Sequence, residues 1–422
     1  MKNNMPFLKI PRHRLYLNGK IFFKIIESFL KGKVIAGKEI DEFEKKFAQY
    51  IGTKYAISVP SGRMALYLTL KAMDFKKGDE IILPSFTVPE VITVIRCAGM
   101  VPNFVDVNPA TCNMDEESIK NNITPKTKAV LLTHIFGQPC AIGPILDISK
   151  KHGIKVIEDA AQACGAEYKG RKTGTFGDVG YFSFGLVKNF NCLGGGMVVT
   201  DNQEIYSKIR NEVNTFLPLA KSYLFKSAFT AFFVWLFTHP LIFTFTVYPV
   251  LLLISVLKFD FIDKMFNENP EEMLATDLPE YYKRKLANMQ AVIGLEQLKI
   301  LDYNNNRRME NAIYLNNLLK DLPKIKLPET IDGVKNIYLN FFIQVEKREE
   351  LLMNLLKKGV DSTKGFLLAC SYEKWLSQYF KDCPVSLNLT TNGLYFPIYP
   401  SLNKKDINYI AHSVKTCLEK SQ

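Results

Sequence analysis

In the stretch YFSFGLVKNFNCLGGGMVVTDN (181–202) a single lysine, Lys188, stands between a run of aromatic and small residues and three consecutive glycines, Gly194 to Gly196. An amine at the end of an apolar strand loses hydration, which lowers its pKa and frees its lone pair. Such an amine attacks carbonyl groups and forms Schiff bases. A solvated surface charge is the ordinary reading of one lysine, so its neighbours decide. Upstream, VIEDAAQACGAEYKG (156–170) ends an apolar strand in Glu158-Asp159, with Gln162 about one helical turn on. A carboxylate there is costly unless it faces a cation or a protonated ring nitrogen, or caps the helix that follows.

Two further segments bear on this chemistry. In KYAISVPSGRMALYLTLKAM (54–73), Ser61-Gly62 turns a strand into a helix that starts near Arg63. Free N–H groups at a helix start attract a phosphate, and glycine lets it approach the backbone, although an ordinary serine-capped turn has the same composition. In EIILPSFTVPE (80–90), Phe86 follows a strand end, where a ring is either plain core or the cover of a flat ligand. Lysine, strand-end aspartate, phosphate-type turn and aromatic ring together are what pyridoxal 5′-phosphate requires.

Positioning these groups falls to an alternation of strands and helices. Apolar runs at 54–59, 80–84, 102–107, 128–135 and 154–159 alternate with helix-like segments at 64–72, 89–98 and 145–152. Continuous apolar strands alternating with helices predict an α/β fold with a mixed, mostly parallel sheet covered on both faces. Ligands on such sheets sit beyond the carboxyl ends of the strands, which is where Asp159 and Lys188 fall.

Composition narrows the partners. The chain has 422 residues, 47% of them hydrophobic, enough for two packed domains. Lysine and arginine outnumber acidic residues 54 to 42, a net charge of +12. The basic residues form no compact block, which argues against a nucleic-acid binder. The eight cysteines make no C-x-x-C pair, so neither zinc nor dithiol chemistry is expected, and reduced thiols are. The first twenty residues lack the apolar core of a secretory leader, so a cytoplasmic location is expected.

The motifs EDAAQA, GDVGYFSF…KN…GGGMVVT and FPIYPSL resemble those of the pyridoxal-phosphate-dependent sugar aminotransferases of the DegT/StrS type, with fold type I architecture. The similarity runs from about residue 34 to residue 410, with one interruption. The resemblance implies that Lys188 forms the Schiff base, Asp159 partners the pyridine nitrogen and Gln162 meets the phenolic oxygen. It implies that Phe86 stacks on the ring and that Gly62, Arg63 and Ser183 hold the phosphate. It implies a homodimer, with Lys283 standing where the family has an asparagine that reaches the partner subunit's phosphate. Arg63 stands where the family has threonine, Cys164 where histidine is frequent, and GVDSTKGFLLACSYEKW (359–375) lacks the usual histidine and tyrosine. The implied reaction moves an amino group from an amino acid, glutamate by expectation, to a keto-sugar carried on a nucleotide or a lipid. The alternatives are a sugar dehydratase using the same cofactor, whose members typically lack the lysine, and an inactive membrane-bound scaffold.

The interruption is a long apolar tract. Between Ser222 and Leu257 the only formal charge is Lys226. The tract exceeds the ~20 residues that span a bilayer, yet one crossing would separate Lys188 from the later family motifs. The expectation is an in-plane helix pair or hairpin broken near Pro240, with Lys221, Lys226, Lys258 and Lys264 facing anionic headgroups. A hydrophobic oligomer interface is the alternative. The organisation expected is a large domain over 1–307, interrupted by the insert at 217–266, and a small α/β domain over 308–422. His134 reads as a satisfied buried imidazole, and NNNRR (304–308) as a solvated bend on a helix.

Overall fold

The apolar runs assemble, in the computed structural model, into one seven-stranded sheet. The structure describes residues 7–256, 275 and 277–420. The strands are β1 (Tyr55–Val59), β2 (Glu80–Pro84), β3 (Val101–Val105), β4 (Thr127–Thr133), β5 (Lys155–Asp159), β6 (Val179–Ser183) and β7 (Gly196–Thr200). Their order across the sheet is β1-β7-β6-β5-β4-β2-β3. Only β7 runs against its neighbours, pairing antiparallel with both β1 and β6, while the other pairs are parallel. The expected α/β class with a mixed, mostly parallel sheet is therefore observed.

Both faces of the sheet are covered, which is why its strands read as unbroken apolar runs. Helices α1 (Gly19–Leu30) and α2 (Glu39–Ile51) precede it. Helices α3 (Gly62–Ala72), α4 (Pro89–Cys97), α5 (Glu116–Asn121) and α6 (Ile142–His152) alternate with the strands, and α7 (Gln203–Thr215) follows them. Side chains alternate between faces with period two. Ile81, Leu131, Ile157 and Val198 pack with α3, α4 and α7, whereas Ile82, Leu132 and Val156 pack with Ile142 and Ile145 of α6. Met197, Val199 and Phe182 join α1 and α2.

The apolar insert forms α8 (Lys221–Phe237), α9 (Pro240–Phe245) and α10 (Val247–Val256). The first break falls at Thr238-His239, because Pro240 lacks an N–H and opens a new helix at its first position. Helix α8 lies on α1: Phe22 meets Phe232 and Trp235 with ring centroids 5.9 and 5.0 Å apart, and Phe29 meets Phe225 at 6.0 Å. Leu224 and Ala231 of α8 are fully buried in that contact. Among the described residues, no helix is long and apolar enough to cross a membrane. Lys258 and Lys264 lie outside the described residues.

Two helices connect to the C-terminal part, α11 (Asn288–Leu298) and α12 (Leu301–Leu319). The expected domain boundary at Arg308 falls inside α12, which contributes Leu301 to one core and Ala312, Leu315 and Leu319 to the next. That second core also holds α13 (Arg348–Lys357), α15 (Lys404–Lys420) and an antiparallel strand pair, Phe341–Gln344 with Gly393–Phe396; α14 (Pro384–Asn392) leads into the second strand. The N-terminus is drawn into it. Ile10 bridges Val360, and the Arg12 guanidinium makes a two-pronged contact with Asp361, its Nη2 lying 2.7 Å from Oδ1.

One local reading is corrected. The segment NNNRR is no solvated bend, because Asn304, Asn305 and Arg308 lie on the buried face of α12. Its polar composition is matched to a polar interior, as the Asn189–Asn305 hydrogen bond of 3.1 Å shows.

Candidate active site

The carboxyl ends of β5 and β6 bring Asp159 and the Lys188 loop together. Asp159 and Tyr181 are register partners on these two strands. The Asp159 carboxylate is buried, and its Oδ1 accepts from the Ala161 N–H at 3.0 Å. That contact makes Asp159 a local cap of the turn that follows β5. Burial and then the Asp159 carboxylate push the Tyr181 phenol well above its ordinary range, which keeps it neutral beside the acid.

Lys188 is carried by a tight loop after β6. Its N–H donates to the Gly185 carbonyl at 3.1 Å, and the N–H groups of Cys192 and Gly194 both donate to the Phe184 carbonyl. Leaving the loop requires Gly194 and Gly195 at φ +118° and +97°, and a Cβ on Gly196 would come within 3.0 Å of the Gly62 nitrogen. The glycine triplet therefore turns the chain and lets β7 press against the start of α3. The Lys188 ammonium lies 5.6 Å from the centre of the Phe366 ring. Desolvation lowers its pKa, opposed by the Asp159 and Glu90 carboxylates. Desolvation thus favours the neutral amine expected from the sequence on a half-buried side chain, and the two carboxylates oppose it.

The start of α3 builds the anion cup. Ser61 Oγ accepts from the Met64 N–H at 3.2 Å and caps the helix. Gly62 sits against Ser183, where an added Cβ would lie 2.9 Å from the serine Cβ. The free N–H groups of α3, the Ser183 hydroxyl and the cleared space over Gly62 suit a phosphate. Gln162 Oε1 accepts from the Phe136 N–H at 3.1 Å, which turns the amide's NH2 group toward any acceptor oxygen. These residues fit pyridoxal 5′-phosphate: Asp159 for the ring nitrogen, Gln162 for the phenolic oxygen, Gly62 and Ser183 for the phosphate, and Lys188 for the aldehyde carbon.

Three expected residues make further contacts within this chain. Arg63 Nη1 lies 4.0 Å from Glu90 Oε1, and its guanidinium 5.0 Å from the Tyr282 ring. Lys283 pairs with Glu280 at 2.7 Å on an exposed turn. Phe86 is only 1% exposed and packs edge-on against Phe136 at 6.1 Å, as a core residue does.

Other residues emerge only from the structure. Glu90 enters because α4 begins beside α3, and Phe366 because the C-terminal part folds over the Lys188 loop; neither has a local sequence signal. His134 is the satisfied imidazole expected. Its Nδ1 accepts from the Cys140 N–H at 3.2 Å, so Nε2 carries the proton it donates to Glu158 at 3.1 Å. Glu158 also accepts from the N–H groups of Gly174, Phe176 and Gly177, which makes it a structural anchor of the turn before β6. All eight cysteines are buried free thiols, and among the described residues no group of side chains is arranged to hold a metal ion.

Comparison with known proteins agrees with this geometry. The model of the DegT/DnrJ/EryC1/StrS aminotransferase family matches residues 18–219 and 268–415 and leaves the stretch between them unmatched. GDP-perosamine synthase of Escherichia coli O157:H7 is 29% identical over 385 residues, covering 90% of each chain. A dTDP-3-amino-3,6-dideoxy-alpha-D-galactopyranose transaminase of Aneurinibacillus thermoaerophilus is 29% identical over 412 residues, covering 97% of this chain and 98% of its own. The crystal structure of S. venezuelae DesV, in complex with a ketimine intermediate, superposes with a TM-score of 0.74 at 25% identity over 94% of both chains. With the family model matched along most of its length, this chain belongs to the DegT/DnrJ/EryC1/StrS aminotransferase family.

Proposed function

We propose that this sugar aminotransferase takes the amino group of glutamate and delivers it to a keto-sugar carried on a nucleotide or a lipid, in the cytoplasm against a membrane surface, as a homodimer. The observation that carries the reading is the charge of Asp159, at the end of β5, acting on the Lys188 amine in the loop after β6, whose pKa desolvation lowers.

Pyridoxal phosphate, when bound, supplies an electron sink conjugated to the carbon that exchanges its amino group. The chain supplies the rest. Asp159 would hold a proton on the ring nitrogen. Gly62, Ser183 and the start of α3 would hold the phosphate. Lys188 Nζ, as a free amine, would take the proton from the donor's α-carbon and return it one position along, and the desolvation that lowers its pKa favours the neutral form this needs.

Support for the membrane setting comes from two neighbouring elements. On α1, Phe23, Ile26 and Leu30 (83%) are exposed, and on α8 so are Phe225 (62%), Phe229 and Phe232. Lys20, Lys24, Lys31, Lys221 and Lys226 flank these side chains. Apolar residues ringed by lysines are the composition of an in-plane interfacial surface.

The test is the visible absorption spectrum of the purified protein with pyridoxal phosphate, for wild type and Lys188→Ala, before and after glutamate. A band that depends on Lys188 and bleaches with glutamate supports the reading; no band in the wild type refutes it. Flotation with vesicles containing anionic lipid tests the setting, which fails if the full chain stays with the soluble fraction.

A further inference from the structure

Phe136 has its backbone at φ +59° and ψ +11°, in the left-handed region that a bulky side chain rarely adopts. It lies three residues after the end of β4 and precedes Gly137, itself left-handed at φ +89°. Glycine or asparagine serves a turn that needs only this conformation. A phenylalanine there is strained, and it persists because its surroundings over-determine it.

Those surroundings come from the C-terminal part of the chain. The Phe136 ring stacks on Phe342, with centroids 4.7 Å apart and planes at 21°, and meets Tyr395 edge-on at 5.3 Å. Phe342 and Tyr395 are register partners on the strand pair Phe341–Gln344 and Gly393–Phe396. The backbone is held from the same direction. Leu339 N–H donates to the Phe136 carbonyl at 2.8 Å, and Ile337 N–H to the Gly137 carbonyl at 3.1 Å. A Cβ on Gly137 would lie 2.8 Å from Ile337 Cγ1, so this approach leaves no room for a side chain. On the other flank Ile135 N–H donates to Asn113 Oδ1 at 3.0 Å. The turn so fixed spends its remaining donor, the Phe136 N–H, on Gln162 Oε1 at 3.1 Å. Among the described residues this is the one hydrogen bond of the Gln162 side chain. Both residues are buried.

We propose that Phe136 is the positioning residue for Gln162, and that the aromatic clamp of Phe342 and Tyr395 thereby fixes the hydrogen-bond donor offered to the cofactor's phenolic oxygen. This rests on the pyridoxal-phosphate reading of the site and adds the device that orients one of its contacts. An amide whose oxygen is engaged presents its NH2 group as a donor, and a loosened turn lets the amide rotate and offer its oxygen instead. A donor at the phenolic oxygen favours the deprotonated, more negative form of the lysine-bound cofactor. Loosening the clamp therefore raises the pH at which the Lys188-dependent visible band titrates.

The experiment titrates that band against pH in the full-length, cofactor-loaded protein, for wild type, Phe342→Leu, Gln162→Met, the double variant and Phe341→Leu. Phe341, one residue before Phe342, packs in the second core with Phe396, so it controls for loss of a ring from the same strand. Gln162→Met is expected to raise the midpoint by roughly one pH unit, and Phe342→Leu by part of that. The double variant should shift no further than Gln162→Met alone, because both changes act on one hydrogen bond. Phe341→Leu should leave the midpoint in place. An unmoved midpoint in Phe342→Leu, an equal shift in Phe341→Leu, or a double variant that shifts by the sum of the two overturns the proposal. A wild type with no visible band refutes the cofactor reading itself. The clamp on Gln162 is then judged by amide hydrogen exchange over residues 134–138: faster in Phe342→Leu than in Phe341→Leu if it stands, equal in both if it falls.

Discussion

Gly62 and Ser183 are packed so closely that a methyl group on the glycine would lie 2.9 Å from the serine Cβ. The contact joins the start of α3 to the end of β6 and clears the floor of the anion cup. Gly62→Ala must push the two apart, at a cost of about 1–3 kcal/mol. We expect a matching loss in pyridoxal-phosphate affinity, read by titrating the visible band, with the far-ultraviolet dichroism unchanged. An unaltered affinity would remove Gly62 from the cup.

Glu90 raises the pKa of Lys188, against the larger effect of desolvation. Glu90→Gln removes that support, so the amine should lose its proton at a lower pH than in wild type. The acid limb of the pH profile for the glutamate half-reaction should move to lower pH. A limb that stays in place, or moves up, would show that Glu90 does not act on this amine.

Glu158 receives three backbone N–H groups from the turn before β6 and the His134 ring from the end of β4. Glu158→Gln leaves at least one of these donors facing an amide NH2. A loss of about 3 kcal/mol is expected in urea unfolding. Equal stability would mean that the turn repacks without the charge.

His13 has its pKa lowered from 6.5 to about 4 in the folded protein. The unfolded chain therefore binds a proton there before the folded one does. Its contribution to stability is full above pH 6.5 and is lost as the pH falls from there toward 4. His13→Phe should flatten the melting temperature over that window. A wild-type melting temperature that rises on acidification through the same range would contradict the assignment.

Much of the fold is readable from residue order because both faces of the sheet are buried, and Ile81-Ile82 or Leu131-Leu132 announce that directly. Sheet order is not readable in this way: β7 enters between β1 and β6 through pairings with residues far along the chain. Within the site, Asp159 and Lys188 are legible as strand-end positions in apolar runs and Gly62 as a strand-to-helix turn, whereas Ser183 is reached only through the family resemblance. The contacts of Arg63 are not legible, since Glu90 and Tyr282 come from other segments. The burial of NNNRR is hidden for a similar reason. Its residues are polar, and only the docking of α12 on the Asn189 loop turns that polar stretch inward.

The clasp between Arg12 and Asp361 joins residues 349 positions apart. During synthesis the start of the chain must wait for most of the protein to emerge before its second core can close. Through that interval α1 and then α8 leave the ribosome with their aromatic side chains uncovered. The nascent chain consequently has a long window in which a chaperone or a lipid surface can capture it before the enzyme is complete.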